Sequence, residues 1–263
     1  MESNSSSLNG RTVVVTRAPS QASSWIQALE QQGATVQCFP LLQITPIPFD
    51  AAKLTKQLKL RRYEAILLTS QNAVHFGLEQ SSEEGLTYLR ESRDAPKLWA
   101  VGKATASALK DLNLNVDFIA PRAQATALLE QLLLAEVKGK TYLFPCSLEA
   151  RTELPRGLEE AGATVDQWPV YQPSPANTDL DPLVEQIGAG QIDVVTLASP
   201  STVRFLFEQQ PCLLQSEWLH QVMYAAIGPT TEQALRERGV SNLVVADPPG
   251  LPGLLKAILL RYS

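Results

Sequence analysis

Gly10-Arg11-Thr12-Val13-Val14-Val15 returns later in the chain as Gly139-Lys140-Thr141-Tyr142-Leu143-Phe144, and Gly33-Ala34-Thr35-Val36 returns letter for letter as Gly162-Ala163-Thr164-Val165. Both pairs are separated by 129 residues. The same offset joins Pro40 to Pro169, Gln43 to Gln172, Pro46 to Pro175 and Ser70 to Ser199, while an offset of 126 joins Ala100-Val101-Gly102 to Ala226-Ile227-Gly228. Solenoid repeats run at roughly 20–50 residues, so a period this long reads as an internal duplication of a whole domain. Two similar domains are expected, placed to face each other across a cleft.

Within each repeat, short apolar runs alternate with helical stretches, the pattern of a parallel sheet covered on both faces. Val13-Val14-Val15 reads as a buried strand. The stretch from Ser20 to Gln32 sets Trp25, Ala28 and Leu29 on one helical face, and Gly33 ends it as a C-terminal cap. Further strands are predicted at Thr35 to Phe39, Ala65 to Leu68, Leu98 to Val101 and Val116 to Ala120. The second half repeats the order at Tyr142 to Phe144, Val165 to Val170, Val194 to Leu197, Tyr224 to Ile227 and Leu243 to Val245. Continuous apolar runs are what strands buried on both faces show. The predicted class is therefore α/β, with two similar doubly wound, five-stranded parallel-sheet domains.

The Pro-punctuated stretches Pro40 to Pro46 and Pro169 to Pro175 occupy equivalent places after the second strand of each repeat, and extended segments of this kind make paired connectors. The residues leave two arrangements open: contiguous domains, or domains that exchange halves at these points.

The 263 residues carry a net charge of −5, so broad attraction to nucleic acid or to an anionic membrane is not expected, and an anionic ligand has to be held by local donors. Three cysteines (Cys38, Cys146, Cys212) have no metal-site spacing, and His75 and His220 stand far apart, so no metal is expected and the protein reads as reduced and cytoplasmic. Met1 to Asn9, polar and Ser-rich, reads as a disordered tail and not a secretory signal. No run approaches the ~18 apolar residues of a membrane span.

Ligands of open α/β sheets bind outside the carboxyl ends of the strands. Four strand-to-helix junctions carry hydroxyls or small residues there: Thr69-Ser70-Gln71-Asn72, Gly102-Lys103-Ala104-Thr105, Ser199-Pro200-Ser201-Thr202 and Gly228-Pro229-Thr230-Thr231. Unpaired backbone N–H groups and the helix dipole favour an anion at such ends. Each junction alone is also an ordinary helix cap. Four of them, related by the repeat, point to a polyanionic ligand. There is no G-x-G-x-x-G after a strand, no P-loop and no G-x-S-x-G elbow to compete, and Cys146 reads as a small buried hydrophobe.

The segments Leu68-Thr69-Ser70-Gln71-Asn72-Ala73-Val74, Ala100-Val101-Gly102-Lys103-Ala104-Thr105-Ala106, Leu143-Phe144-Pro145-Cys146, Val170-Tyr171-Gln172 and Ala226-Ile227-Gly228-Pro229-Thr230-Thr231 together resemble the uroporphyrinogen-III synthase family. The resemblance runs from Val13 to about the C-terminus. It implies exchanged halves: one discontinuous domain of residues 1–45 and 174–263, and a second of residues 46–173. The two-stranded linker between them would cross near 42–48 and 171–175.

The activity the resemblance implies is cyclisation of the linear tetrapyrrole hydroxymethylbilane to uroporphyrinogen III, with loss of water and inversion of the last ring. It implies no cofactor, no nucleic-acid or membrane partner, and a monomer. The substrate's eight carboxylates suit the four anion-friendly junctions. For the proton donor the family points to Tyr171, whose counterpart at the 129-residue offset is Leu42. The substrate-binding candidates are Arg17, Thr69, Ser70, Asn72, Lys103, Thr105, Ser147, Arg151, Ser199, Thr230 and Thr231. A two-domain solute-binding protein that closes on a polyanion without chemistry is the rival reading, although no secretion signal accompanies it. A sugar-nucleotide transferase would need a nucleotide-binding loop that the chain lacks.

Overall fold

The computed structural model describes residues 8–122, 124–215 and 217–262. Its strands are β1 (Thr12–Val15), β2 (Thr35–Cys38), β3 (Leu42–Pro46), β4 (Ala65–Leu68), β5 (Lys97–Ala100), β6 (Phe118–Ile119), β7 (Thr141–Ser147), β8 (Thr164–Pro175), β9 (Val194–Leu197), β10 (Met223–Ala226) and β11 (Leu243–Val245). One sheet has the order β11-β10-β9-β1-β2, and the other β3-β8-β7-β4-β5-β6. Apart from β3 the two orders correspond strand for strand, with β7 in the place of β1 and β4 in the place of β9. The strand pairs on either side of these positions are parallel.

The second sheet has six strands where five were expected. Ile47 N–H donates to Val170 C=O (2.9 Å) and Ala176 N–H to Leu41 C=O (3.1 Å). Advance along one segment is thus retreat along the other, and β3 adds to the edge of β8 as an antiparallel strand. The proline-rich connector satisfies its backbone by joining the sheet. At the opposite edge the strand expected from Val116 to Ala120 shortens to Phe118–Ile119, because the Asp117 carboxylate itself accepts the Leu98 N–H (2.7 Å).

Compact unit 1 comprises Met1–Gln43 and Ser174–Ser263, and unit 2 comprises Ile44–Pro173. The chain passes between them at β3 and at the end of β8.

Each sheet buries both faces. In unit 1, Val14, Val195 and Tyr224 enter one apolar cluster, while their strand neighbours Val13, Val15, Val194 and Met223 enter the other. In unit 2, Ile66, Leu68 and Leu143 face one way, and Ala65, Leu67, Tyr142 and Phe144 the other. Successive side chains of a strand point to opposite faces, so an unbroken apolar run is what two covered faces require.

The repeated Gly-Ala-Thr-Val has one local cause. Gly33 and Gly162 both sit at φ +85°, the left-handed region, immediately after a helix. Ala34 N–H and Ala163 N–H then reach back to Leu29 and Leu158 carbonyls. Glycine occupies this position without the steric cost of a Cβ, and the turn sends the chain straight into β2 and β8.

The expectation of a disordered tail through Asn9 fails at its end. Leu8 is fully buried among Val13, Trp25 and Leu29, and its N–H donates to Gln32 C=O (3.0 Å). Residues 1–7 lie outside the described residues.

Candidate active site

In unit 2 the winding of the chain reverses between β7 and β4: β7 leads to β8 on one side, and β4 to β5 and β6 on the other. Open parallel sheets bind ligands outside the strand ends at such a switch point. A cavity of about 600 Å³ lies there, lined by Thr69 and Ser70 after β4, by Phe144 and Ser147 of β7, and by Tyr171 of β8. The turn carrying Ala150 and Arg151 and the helix starts at Gln124-Ala125-Thr126 and Glu153-Leu154 complete its wall.

Tyr171 reaches this cavity through an irregularity in β8. Cys146 pairs with Pro169, but the next residue of β7, Ser147, pairs with Tyr171. Val170 is therefore an extra residue, and its side chain is fully buried. A bulge of this kind changes which way the following side chain points. Leu148 N–H closes the ladder beyond it by donating to Tyr171 C=O (2.8 Å).

The Tyr171 hydroxyl lies 3.0 Å from Ser70 Oγ. Ser70 in turn caps the helix that begins at Gln71, its Oγ accepting Ala73 N–H at 3.1 Å. That helix widens into a π-helical turn over Val74–Leu78, which carries Phe76, whose ring centroid is 5.9 Å from that of Tyr171. Burial raises the phenol's pKa above its ordinary value, the hydrogen bond with Ser70 pulls it back, and Cys146 adds a further push upward. Cys146 is buried and its thiol is pushed up to about 11 by desolvation, so it is a poor nucleophile at neutral pH.

The remaining wall is largely apolar and carries the Glu153 carboxylate, but two helix starts and Arg151 bring donors to it. The helix Ala125–Leu132 starts at Gln124, and the helix Glu153–Glu160 at Thr152. Neither cap residue makes a side-chain hydrogen bond to its helix. The first N–H groups of a helix have no intrahelical acceptor, and with the dipole they favour an anion. Ser147 shapes the turn between them: its Oγ accepts Glu149 N–H (3.2 Å) and its carbonyl accepts Ala150 N–H (3.0 Å). Arg151 follows, exposed on the cavity wall.

Five of the residues expected from the sequence thus meet at one cavity: Thr69, Ser70, Ser147, Arg151 and Tyr171. Three others of unit 2 do not line it. Asn72 is half-buried in the short helix after Ser70. Lys103 is exposed and Thr105 buried in the helix Gly102–Asp111, which follows β5 and so starts one strand further from the switch point. In unit 1, Arg17 follows β1 with its guanidinium 5.5 Å from the Trp25 ring. Ser199 follows β9 and is engaged in a reciprocal capping box with Thr202. Thr230 is exposed, and Thr231 is buried in the first turn of Pro229–Arg236.

Gln124, Thr126, Phe144 and Glu153 line the cavity without having been singled out from the sequence. The strand-to-helix rule applies to Gln124 and Thr126 as well: the strand before them was expected, but the junction that follows it was not among the four singled out. Among the described residues no group of three or more His, Cys, Asp or Glu is placed to hold a metal, and no helix is long and apolar enough to cross a membrane.

The family model described as uroporphyrinogen-III synthase HemD matches residues 23–256. A uroporphyrinogen-III synthase of Chlorobaculum parvum is 30% identical over 253 residues, covering 94% of this chain and 98% of that protein. A uroporphyrinogen-III synthase of Synechococcus elongatus is 28% identical over 261 residues, covering 95% of each. The crystal structure of uroporphyrinogen-III synthetase from Helicobacter pylori superposes with a TM-score of 0.61 at 18% identity, covering 95% of this chain and 99% of that one, a likeness of fold. With a match of this extent on both the family model and the relatives, the chain belongs to the uroporphyrinogen-III synthase family.

Proposed function

We propose that the chain cyclises hydroxymethylbilane to uroporphyrinogen III, with Tyr171 as proton donor and the cavity of unit 2 holding the end of the substrate that reacts first. One observation carries the assignment of roles: a half-buried phenol, aimed by a bulge and hydrogen-bonded to a helix-capping serine, sits among donors suited to carboxylates. The rival solute-binding reading finds no support in the Chlorobaculum parvum and Synechococcus elongatus relatives, which are synthases by name and are matched over nearly their whole length.

The chemistry asks little of side chains. The pyrrole nitrogen's lone pair expels the hydroxyl of the hydroxymethyl group, and a proton from Tyr171 lets it leave as water. The resulting azafulvene is attacked by the substituted carbon of the last ring. The spiro intermediate fragments and recloses with that ring inverted, and the proton released on rearomatisation restores the balance. Holding a flexible chain in the reactive shape carries much of the rate gain, since well-oriented intramolecular reactions reach effective molarities of about 10⁵–10⁸ M. Two helix N-termini, Arg151 and the hydroxyls of Thr69 and Ser147 serve that positioning.

Arg17, Asn72, Lys103, Thr105, Ser199, Thr230 and Thr231 belong to the same proposal as further substrate contacts. So does the monomeric, cytoplasmic state, to which the unpaired Cys38, Cys146 and Cys212 are suited. Incubation of the pure protein with freshly made hydroxymethylbilane, followed by separation of the product isomers, tests the activity. Mainly isomer III is expected; isomer I alone, the spontaneous product, would sink the assignment.

A further inference from the structure

We propose that Ser70 is a positioning residue for Tyr171: its hydroxyl, held by the helix it caps, donates to the phenol oxygen and prepares that oxygen to give up its own proton. This rests on the reading of Tyr171 as the proton donor.

The 3.0 Å separation admits either hydroxyl as donor, and the chemistry of the step favours Ser70. Ser70 Oγ already accepts Ala73 N–H at 3.1 Å. Among the described residues its single O–H has no other acceptor, and the Tyr171 oxygen is 3.0 Å away. With Ser70 donating, the phenol's O–H is left to point toward the cavity that both residues line. With Ser70 accepting, the phenol's proton would be held by Ser70 and withheld from a leaving group. Donation by a hydroxyl that is itself polarised by a helix N-terminus also favours the phenolate left after transfer.

The surroundings hold this pair in place. Phe76, in the π-helical turn, packs its ring against that of Tyr171. Gly77 in the same turn rests on Val170, the extra residue of the bulge, where a Cβ would lie 3.5 Å from the valine's Cγ2. The irregular turn and the irregular strand therefore fit one another, and together they fix the Ser70–Tyr171 distance.

In the step itself the carbon–oxygen bond of the hydroxymethyl group breaks with both electrons leaving on oxygen, the phenol proton joins that oxygen as water, and the phenolate keeps the Ser70 hydrogen bond. Reprotonation by the proton released at rearomatisation returns the enzyme to its starting state.

A double-mutant cycle on the full chain tests this, with Ser70→Ala, Tyr171→Phe and the pair, reading single-turnover rate and product affinity. Ser70→Ala is expected to slow turnover roughly tenfold, the worth of one hydrogen bond, and to leave product affinity within about twofold. Added to Tyr171→Phe, it is expected to cost nothing more, because its effect runs through the phenol. Ser70→Thr, which keeps both hydroxyl and cap, should restore most of the rate. Additive losses in the double variant, or a loss of product affinity equal to the loss of rate, would overturn the positioning role and make Ser70 a substrate contact. Full activity in Tyr171→Phe alone would instead remove the proton-donor reading, and this proposal with it. Melting temperatures of all four variants separate loss of the cap from loss of chemistry, since Ser70→Thr and wild type should then agree while Ser70→Ala falls in both backgrounds.

Discussion

Tyr171 pairs with Ser147 across β7 and β8 although Pro169 pairs with Cys146, so one extra residue, Val170, turns the phenol out of the regular alternation and toward the cavity. Because the ring is held by its packing on Phe76, Tyr171→Phe should preserve the local structure while removing the acid. Loss of the Ser70 hydrogen bond costs about 1 kcal/mol, a fall of about 3 °C in melting temperature for a chain of this size. A positioned acid contributes roughly 10²–10⁴-fold, and the electron-rich pyrrole already expels hydroxide readily, so the loss of turnover should sit near 10²-fold or below. Single-turnover assays paired with thermal melts check this. Wild-type turnover in the variant would take the proton-donor role from Tyr171.

Arg151 should contribute through charge and not through shape, since it is exposed on the cavity wall. Arg151→Gln is expected to weaken binding of uroporphyrinogen III roughly two- to fivefold at low salt, the scale of an exposed ion pair. The difference from wild type should shrink as salt rises and screens the guanidinium. The affinity that remains, from backbone N–H groups at two helix ends, should respond less to salt. Calorimetric titrations of both proteins across a salt series measure the two slopes; parallel slopes would count against a direct Arg151–carboxylate contact.

The sheets were legible because each buried strand announces itself as an unbroken apolar run, and the repeated Gly-Ala-Thr-Val segments mark the same left-handed turn twice. What the residues hid was mostly irregular. The bulge at Val170 and the π-helical turn at Val74–Leu78 each insert a residue into a regular element, and periodicity offers no signal for that. Leu8 looked like part of a polar tail because a single apolar residue among serines carries no pattern, yet it fills the space beside Trp25 and Leu29. β3 joined a sheet because its backbone needed partners, a demand that prolines on either side disguise. At the site, Ser70 and Tyr171 were visible as separate features of junction and linker. Their hydrogen bond, across 101 residues of chain, was not.

Burial of Cys146 carries a pH dependence. Its thiol rises from 9.0 to about 11 in the folded chain, so between those values the unfolded chain has lost the proton while the native one still holds it. Stability then falls as pH rises through this window, and the contribution is intact below about pH 9. Urea midpoints for wild type and Cys146→Ala, compared at several alkaline pH values, isolate this group from the tyrosines that also titrate there. The variant should be less stable at neutral pH and should lose less on alkalinisation. At neutral pH, iodoacetamide should label the exposed Cys212 and spare Cys146; rapid labelling of Cys146 in the folded protein would contradict its burial.

Two buried tyrosines should respond in opposite ways to loss of the same atom. Tyr63 donates its hydroxyl to the Asp166 carboxylate at 2.7 Å, and Arg61 contacts that oxygen at 2.6 Å. The Tyr224 hydroxyl is buried in the core of unit 1 beside Phe207 with no hydrogen-bond partner among the described residues. Burial raises both phenols' pKa values, and for Tyr63 the carboxylate adds to the rise. A hydrogen bond to a charged group is worth about 1.5–3 kcal/mol, whereas an orphaned hydroxyl costs about 1–3 kcal/mol of desolvation and returns nothing. Tyr63→Phe should therefore lower the free energy of unfolding, while Tyr224→Phe should leave it unchanged or raise it, the ring filling the same space in each case. Urea unfolding of the two variants beside wild type decides between them. A loss of more than about 1 kcal/mol in Tyr224→Phe would mean that this hydroxyl is satisfied after all, and equal losses in both would remove the contrast on which the expectation rests.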